Sequence, residues 1–241
     1  MLEGYTGFPQ LIDIQIAPCE YSLVMPYLGK TLYKHEYTQG IFVQILRKVA
    51  ILHKHNIVHF DIKTSNICID DDNKISIIDF SHSILTRGYE IHARTCCGTY
   101  AYMPPEAFCK KNYKLTSAID IWSIGCVLYE LITQKMLFDF DEKTKRITYS
   151  DISNAIKKFD EIDGHENEKQ IMSMIFQLNP QNRPTCVDIL KFLGVSCKIP
   201  KLYTIPQINE RKKVSRMRIN TNDAIQKYID NIIDNCLCDT T

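Results

Sequence analysis

The stretch HFDIKTSN, residues 59–66, followed by DFS at 79–81, decides how this chain is read. It sets an aspartate (Asp61), a lysine two positions on (Lys63) and an asparagine three further (Asn66) in one loop, and Asp79 follows at the end of the next strand pair. That pair is legible in itself: NICI (66–69) and KISIID (74–79) are short β-branched runs joined by the turn residues DDDN. Upstream, Phe42, Ile45, Leu46, Val49 and Leu52 recur at helical spacing, so an amphipathic helix over 39–55 leads into the loop. One carboxylate near an attacking hydroxyl, a cation near a moving phosphoryl group, and a carboxylate plus an amide oxygen for magnesium are the parts that phosphoryl transfer requires.

Three further segments follow in order: GTYAYMPPE (98–106), DIWSIGCVLYEL (120–131) and NPQNRPT (179–185). Together with the loop they resemble the eukaryotic protein kinase family. The first is similar to the end of an activation segment, the second to the buried central helix of the large lobe, the third to an arginine-bearing loop near its end. The resemblance covers about 10–195 and rests on several ordered motifs, which is far more specific than one D-x-K. It implies an α+β, protein-kinase-like fold with a mainly helical large lobe and a reduced small lobe of about two strands.

The family's roles carry over onto matching positions. Asp61 is implied as the catalytic base and Lys63 as the cation that steadies the transferred phosphate. Asn66 and Asp79 are implied to hold Mg²⁺ against ATP. Lys63 after Asp61, with Thr99 at the segment's end, resembles the serine/threonine branch, so protein serine and threonine hydroxyls are the implied substrates. Met25 matches the back of the adenine pocket, Pro26 (carbonyl only) and Leu28 the hinge that faces the adenine edge, and Cys68 the floor beneath it. Asp120, costly to bury in an apolar helix without partners, is implied to receive backbone N–H groups of the catalytic loop. Glu106 and Arg183 resemble a buried ion pair, and His59, Phe80 and Leu11 members of a hydrophobic stack.

Composition bounds the remaining possibilities. The 241 residues carry 29 Lys+Arg against 28 Asp+Glu, a net charge of +1, so no global field attracts nucleic acid or anionic lipid. Apolar runs fall short of the ~20 residues of a spanning helix. No basic stretch followed by an apolar one opens the sequence, and ten scattered cysteines include no C-x-x-C, so reduced thiols and a cytoplasmic or nuclear setting are expected. LIDIQI (11–16) and YSLVMPYL (21–28) read as a hairpin, and helices are expected at 117–133, 151–158, 168–178 and 185–193. The division expected is 1–29 for the small-lobe remnant and hinge, 30–195 for the large lobe, and 196–241 for a tail. That tail holds a basic cluster (Arg211, Lys212, Lys213, Arg216, Arg218) and a final helix with Ile225, Tyr228, Ile229, Ile232 and Ile233 on one face.

Departures from the family are as informative. A kinase small lobe needs about 60 residues, and 24 precede Met25, without a G-x-G-x-x-G loop or a V-A-I-K-type lysine. A truncated product, a partner that completes the lobe, and a pseudokinase acting as a scaffold are the three explanations. Phe60 stands where many kinases carry a phosphate-reading arginine, which leaves Thr95 in the activation segment with only Arg94 beside it. Ser81 replaces the glycine after Asp79–Phe80, and a stiffer segment is expected there.

Overall fold

The structure, a computed structural model, describes residues 2, 5–17, 20–86, 91–93, 98–108, 113–138 and 149–197. Thr95, Arg94, the basic cluster and the final amphipathic segment lie outside the described residues. In chain order the elements are β1 Asp13–Ala17, β2 Glu20–Val24, β3 Lys30–Thr31, α1 Gln39–Lys54, β4 Ile57–Val58, β5 Ile67–Ile69, β6 Ile75–Ile77, β7 Ile84–Leu85, β8 Ile91–Ala93 and β9 Tyr113–Leu115. They continue with α2 Ala118–Thr133, α3 Tyr149–Asp160, α4 Glu166–Ile175 and α5 Cys186–Phe192. The chain is α+β, with one antiparallel hairpin, β1 against β2, ahead of a mainly helical body.

α1 begins where the Thr38 hydroxyl accepts the amide of Ile41, the preferred chemistry at a helix start. Its apolar stripe, from Ile41 to Leu52, is buried, and each aliphatic side chain removed from water contributes about 1.5–3 kcal/mol before entropy is counted. The helix stops at His55, and Asn56 takes φ 59° to turn the chain into β4. β3, β5 and β6 form a small antiparallel sheet, with Cys68 opposite both Thr31 and Ser76. β3 and β5 lie against residues 64–66 at the end of the loop 59–66, and α1 packs on β4 and β6.

α2 is buried along nearly its whole length, from Ile119 to Leu131. It packs on α4, with Trp122 stacked on Phe138 and edge-on to Phe176. Gln134 ends it in the left-handed region, φ 58°, and donates its amide to the Glu130 carbonyl. α5 opens with a reciprocal cap: Asp188 donates its amide to the Thr185 hydroxyl and accepts from the Thr185 amide.

Some sequence expectations change. α4 runs over 166–175 instead of 168–178, because Phe176 leaves helical geometry with ψ 57°. The pairs β4–β7 and β8–β9 were not anticipated; at two or three residues they carry no readable period. Leu11 is 46% exposed, and the ring that meets Phe80 from the N-terminal side is Phe8. Ser81 has no left-handed backbone; the positive φ, 60°, falls on Asp79.

Candidate functional site

The loop after β4 gathers its polar groups around Asp61. Oδ2 accepts from the Lys63 ammonium at 2.8 Å and from the Asn66 amide nitrogen at 2.9 Å. Oδ1 accepts from the Thr99 amide at 2.9 Å and the Thr99 hydroxyl at 2.8 Å. Lys63 in turn donates to the Thr99 hydroxyl at 2.7 Å. Burial pushes the Asp61 carboxyl up, but the Lys63 and Thr99 donors outweigh it and hold it below the usual carboxylate range. The result is an ionised carboxylate, nearly sealed from solvent, beside a cation that is only partly buried.

Thr99 reaches Asp61 because Gly98 lets the segment come close. Gly98 has φ 99°, and a Cβ there would lie 2.6 Å from the Phe60 carbonyl oxygen, so a side chain would drive the two strands of chain apart. Phe60 itself is buried, with φ 73°. This left-handed conformation is unfavourable for a bulky residue and must be imposed by its surroundings. Asp120 imposes it: Oδ2 accepts the His59 amide and Oδ1 the Phe60 amide, both at 2.9 Å, and Oδ2 also meets His53 Nε2 at 2.9 Å. Burial pushes the Asp120 carboxyl up, yet His53 and the His59 backbone amide outweigh it, and it lies below its ordinary value. His53 was not singled out from the sequence; it lies on the last turn of α1, 67 residues from its partner.

The imidazole of His59 is fully buried, and desolvation lowers its pKa, so it is neutral. Nε2 carries the hydrogen and donates to the Ile78 carbonyl at 3.1 Å, and Nδ1 accepts the Asp61 amide at 3.3 Å. Its ring lies 4.9 Å from that of Phe80, which also meets Phe8 edge-on. A second buried set links the loop to α2: Thr64 and Tyr102 both donate to Glu130, at 3.1 and 2.5 Å, and burial with that carboxylate raises the Tyr102 pKa well above normal. Neither Tyr102 nor Glu130 was expected in this role; both read as ordinary members of their motifs.

Asp79 is exposed, two residues past β6. Its Oδ1 accepts the Ser81 hydroxyl at 2.6 Å and the Ser81 amide at 3.3 Å, and these donors keep it below the usual carboxylate range against partial burial and the nearby charge of Asp61. Asn66 donates through Nδ2 to the Asp61 carbonyl as well as to its carboxylate, which leaves its amide oxygen as the acceptor end. An ionised carboxylate and an amide oxygen fit a hard cation. Among the described residues no group of three or more His, Cys, Asp or Glu is poised for a metal. Mg²⁺ does not require one, since it keeps several waters and takes one or two carboxylates plus phosphate oxygens.

Toward the hairpin, Cys68 is buried on β5 and Leu28 is half-buried, whereas Pro26 is exposed and Met25 is 44% exposed. Farther off, Arg183 grips Glu106 with two bonds, 2.6 and 2.8 Å, and its guanidinium also donates to the carbonyls of Gln177 and Ala118. It lies over the Trp122 ring at 4.9 Å. This ties the end of segment 98–106 to the start of α2 and to the turn before α5.

Comparison with known proteins agrees with this architecture. A family model described as the protein kinase domain matches residues 12–192. The chain belongs to the protein kinase family, of the eukaryotic serine/threonine type. It is 32% identical over 179 residues to the serine/threonine-protein kinase Nek1 of Mus musculus, covering 73% of this chain and 14% of that protein. To the serine/threonine-protein kinase Nek5 of Homo sapiens it is 30% identical over 213 residues, covering 85% and 28%. A carbon catabolite-derepressing protein kinase of Candida albicans is 29% identical over 84% of this chain and 34% of its own length. The chain thus spans about a third or less of the relatives it matches. Among the described residues no helix is long and apolar enough to cross a membrane.

Proposed function

We propose that this chain transfers a phosphoryl group from ATP to serine or threonine hydroxyls of protein substrates. The observation that carries the reading is the four-donor cradle of Asp61, formed by Lys63, Asn66 and the amide and hydroxyl of Thr99. In this reading Asp61, ionised at neutral pH, receives the proton of the acceptor hydroxyl as its oxygen bonds to phosphorus. Lys63 places positive charge where the phosphoryl oxygens gain negative charge. Asn66 and Asp79 hold the metal, and Mg²⁺, when bound, neutralises phosphate charge and favours departure of the leaving oxygen. Met25, Pro26, Leu28 and Cys68 receive the adenine. His59, Phe80, Asp120, Glu106 and Arg183 keep the geometry and touch no reacting atom. Residues 30–195 form the transferring lobe, 1–29 the hinge side, and 196–241 a tail.

A second reading, a scaffold that docks partners without transfer, draws support from the apolar side chains of the hairpin and its approach: Ile12 is 64% and Leu23 59% exposed. Transfer of labelled phosphate to a general protein substrate, followed by identification of the modified amino acid, separates the two. The enzyme reading expects phosphoserine or phosphothreonine and a loss of about 10²-fold or more in Asp61→Asn. A folded wild type that incorporates no more label than Asp61→Asn overturns it in favour of the scaffold.

A further inference from the structure

Ser81 is exposed, yet its hydroxyl does not simply face water: it donates to Asp79 Oδ1 at 2.6 Å. That length belongs to the short, charge-assisted class of O–H···O⁻ bonds. The Ser81 amide reaches the same oxygen at 3.3 Å. Both donors therefore converge on one side of the carboxylate, and Oδ2 has no partner in common with them. Asp79 also holds φ 60°, a backbone conformation that an L side chain seldom adopts. A glycine at 81 retains the amide donor and loses the hydroxyl.

We propose that Ser81 is a positioning residue for the metal, its hydroxyl occupying one oxygen of Asp79 so that the carboxylate offers only the other. This rests on the reading of Asp79 and Asn66 as the metal holders. A carboxylate so engaged binds a cation through one oxygen without loss of the Ser81 bond. Two-oxygen binding requires one of the two Ser81 donors that already fill Oδ1 to give way. The first mode suits Mg²⁺, which wants compact octahedral geometry, and the second suits Ca²⁺, which takes bidentate carboxylates readily. Ser81 thereby favours Mg²⁺ over Ca²⁺ at Asp79 and fixes the orientation of the ligand before the cation arrives. Hydrogen-bond partners that orient a ligating side chain typically change metal affinity by about 10–100-fold when removed.

The test uses the whole chain. Calorimetry measures binding of a non-hydrolysable ATP analogue across a Mn²⁺ series, with Mg²⁺ and Ca²⁺ then compared, in the wild type, Asp79→Ala, Ser81→Ala, Ser81→Gly and Ser81→Thr. The expected result is a metal-dependent affinity that Asp79→Ala abolishes, about tenfold more metal needed by Ser81→Ala and Ser81→Gly, and a Ca²⁺ affinity that gains on Mg²⁺ in both. Ser81→Thr, which keeps the hydroxyl, stays within about threefold of the wild type, since the oriented donor is what matters. If Asp79→Ala abolishes the metal dependence while Ser81→Ala and Ser81→Gly match the wild type, the role of Ser81 is overturned and the metal site stands. If Asp79→Ala matches the wild type, the metal reading falls and takes the Ser81 proposal with it.

Discussion

Thr99 gives its amide and its hydroxyl to the same oxygen of Asp61, at 2.9 and 2.8 Å, and accepts Lys63 on that hydroxyl at 2.7 Å. One side chain from the end of segment 98–106 thus bridges the two groups assigned to proton and phosphoryl transfer. A hydrogen bond to a charged group contributes about 1.5–3 kcal/mol, which is roughly 10–100-fold in rate if it acts in the transition state. Thr99→Val, similar in shape but without the hydroxyl, is expected to lose that much phosphate incorporation, and Thr99→Ser to remain within about threefold. Equal activity in the Val and Ser variants would remove Thr99 from the site.

The Glu106–Arg183 pair is a question of stability. The guanidinium is sealed from solvent and the carboxylate is partly buried, so removing one partner costs about 3 kcal/mol, the low end for a buried pair. Lysine cannot reproduce the planar fork that also reaches the Gln177 and Ala118 carbonyls. Arg183→Met, which leaves the Glu106 carboxylate unpaired, should lower Tm by roughly 6–12 °C at this chain length, taking about 3 kcal/mol as the loss, and Arg183→Lys, which keeps a cation, by less. Calorimetric melting checks it, and a shift of less than about 2 °C contradicts the structural role.

The neutral state of His59 has a pH signature. Its folded pKa is lowered, first by desolvation, so the unfolded chain binds more protons between that value and the ordinary one near 6.5. The stability contributed by neutral His59 is therefore complete above about 6.5 and is lost as pH falls from there toward the folded pKa. Asp120, depressed in its own range, adds acid sensitivity only at much lower pH. Denaturant melts between pH 7.5 and 5.5 should show declining stability, with a shallower decline in His59→Leu even though that variant starts lower. An identical slope in both proteins would mean that His59 does not titrate on unfolding.

Gly125 marks a close contact of α2 with the C-terminal end of α4. A Cβ there would lie 2.7 Å from both Ile175 Cγ2 and a ring carbon of Phe176, and that ring is wedged among Trp122, Phe138 and Phe159. Alanine gains about 1 kcal/mol of helix propensity but costs about 1–3 kcal/mol by overpacking. The second effect should win, so Gly125→Ala is expected to be less stable by up to about 2 kcal/mol in urea unfolding. A stabilised variant would show that α2 and α4 move apart freely.

Much of the framework was legible because it is local. Helical spacing located α1, and β-branched runs with a turn located β5 and β6; the resemblance to the kinase family, carried by several ordered motifs, is what grouped Asp61, Lys63, Asn66 and Asp79 as one candidate set. What escaped the sequence was long-range and carried by single side chains. The contact of His53 with Asp120, the sharing of Glu130 by Thr64 and Tyr102, and Phe8 rather than Leu11 against Phe80 leave no period to read. As a replacement for glycine Ser81 lacks backbone freedom, but the left-handed φ falls two residues earlier, on Asp79, and the Ser81 hydroxyl instead bonds the Asp79 carboxylate.

Loops are ordinarily the first parts of a protein to open, and the amides within them exchange with solvent hydrogen in fast local fluctuations. The amides of His59 and Phe60 are held by a fully buried carboxylate on the central helix. They can exchange only when Asp120 is exposed, which means when α2 itself comes away. The loop proposed here to carry the chemistry is thereby tied to α2, and its two amides should report an unfolding free energy close to the global one, where neighbouring turns report only their own.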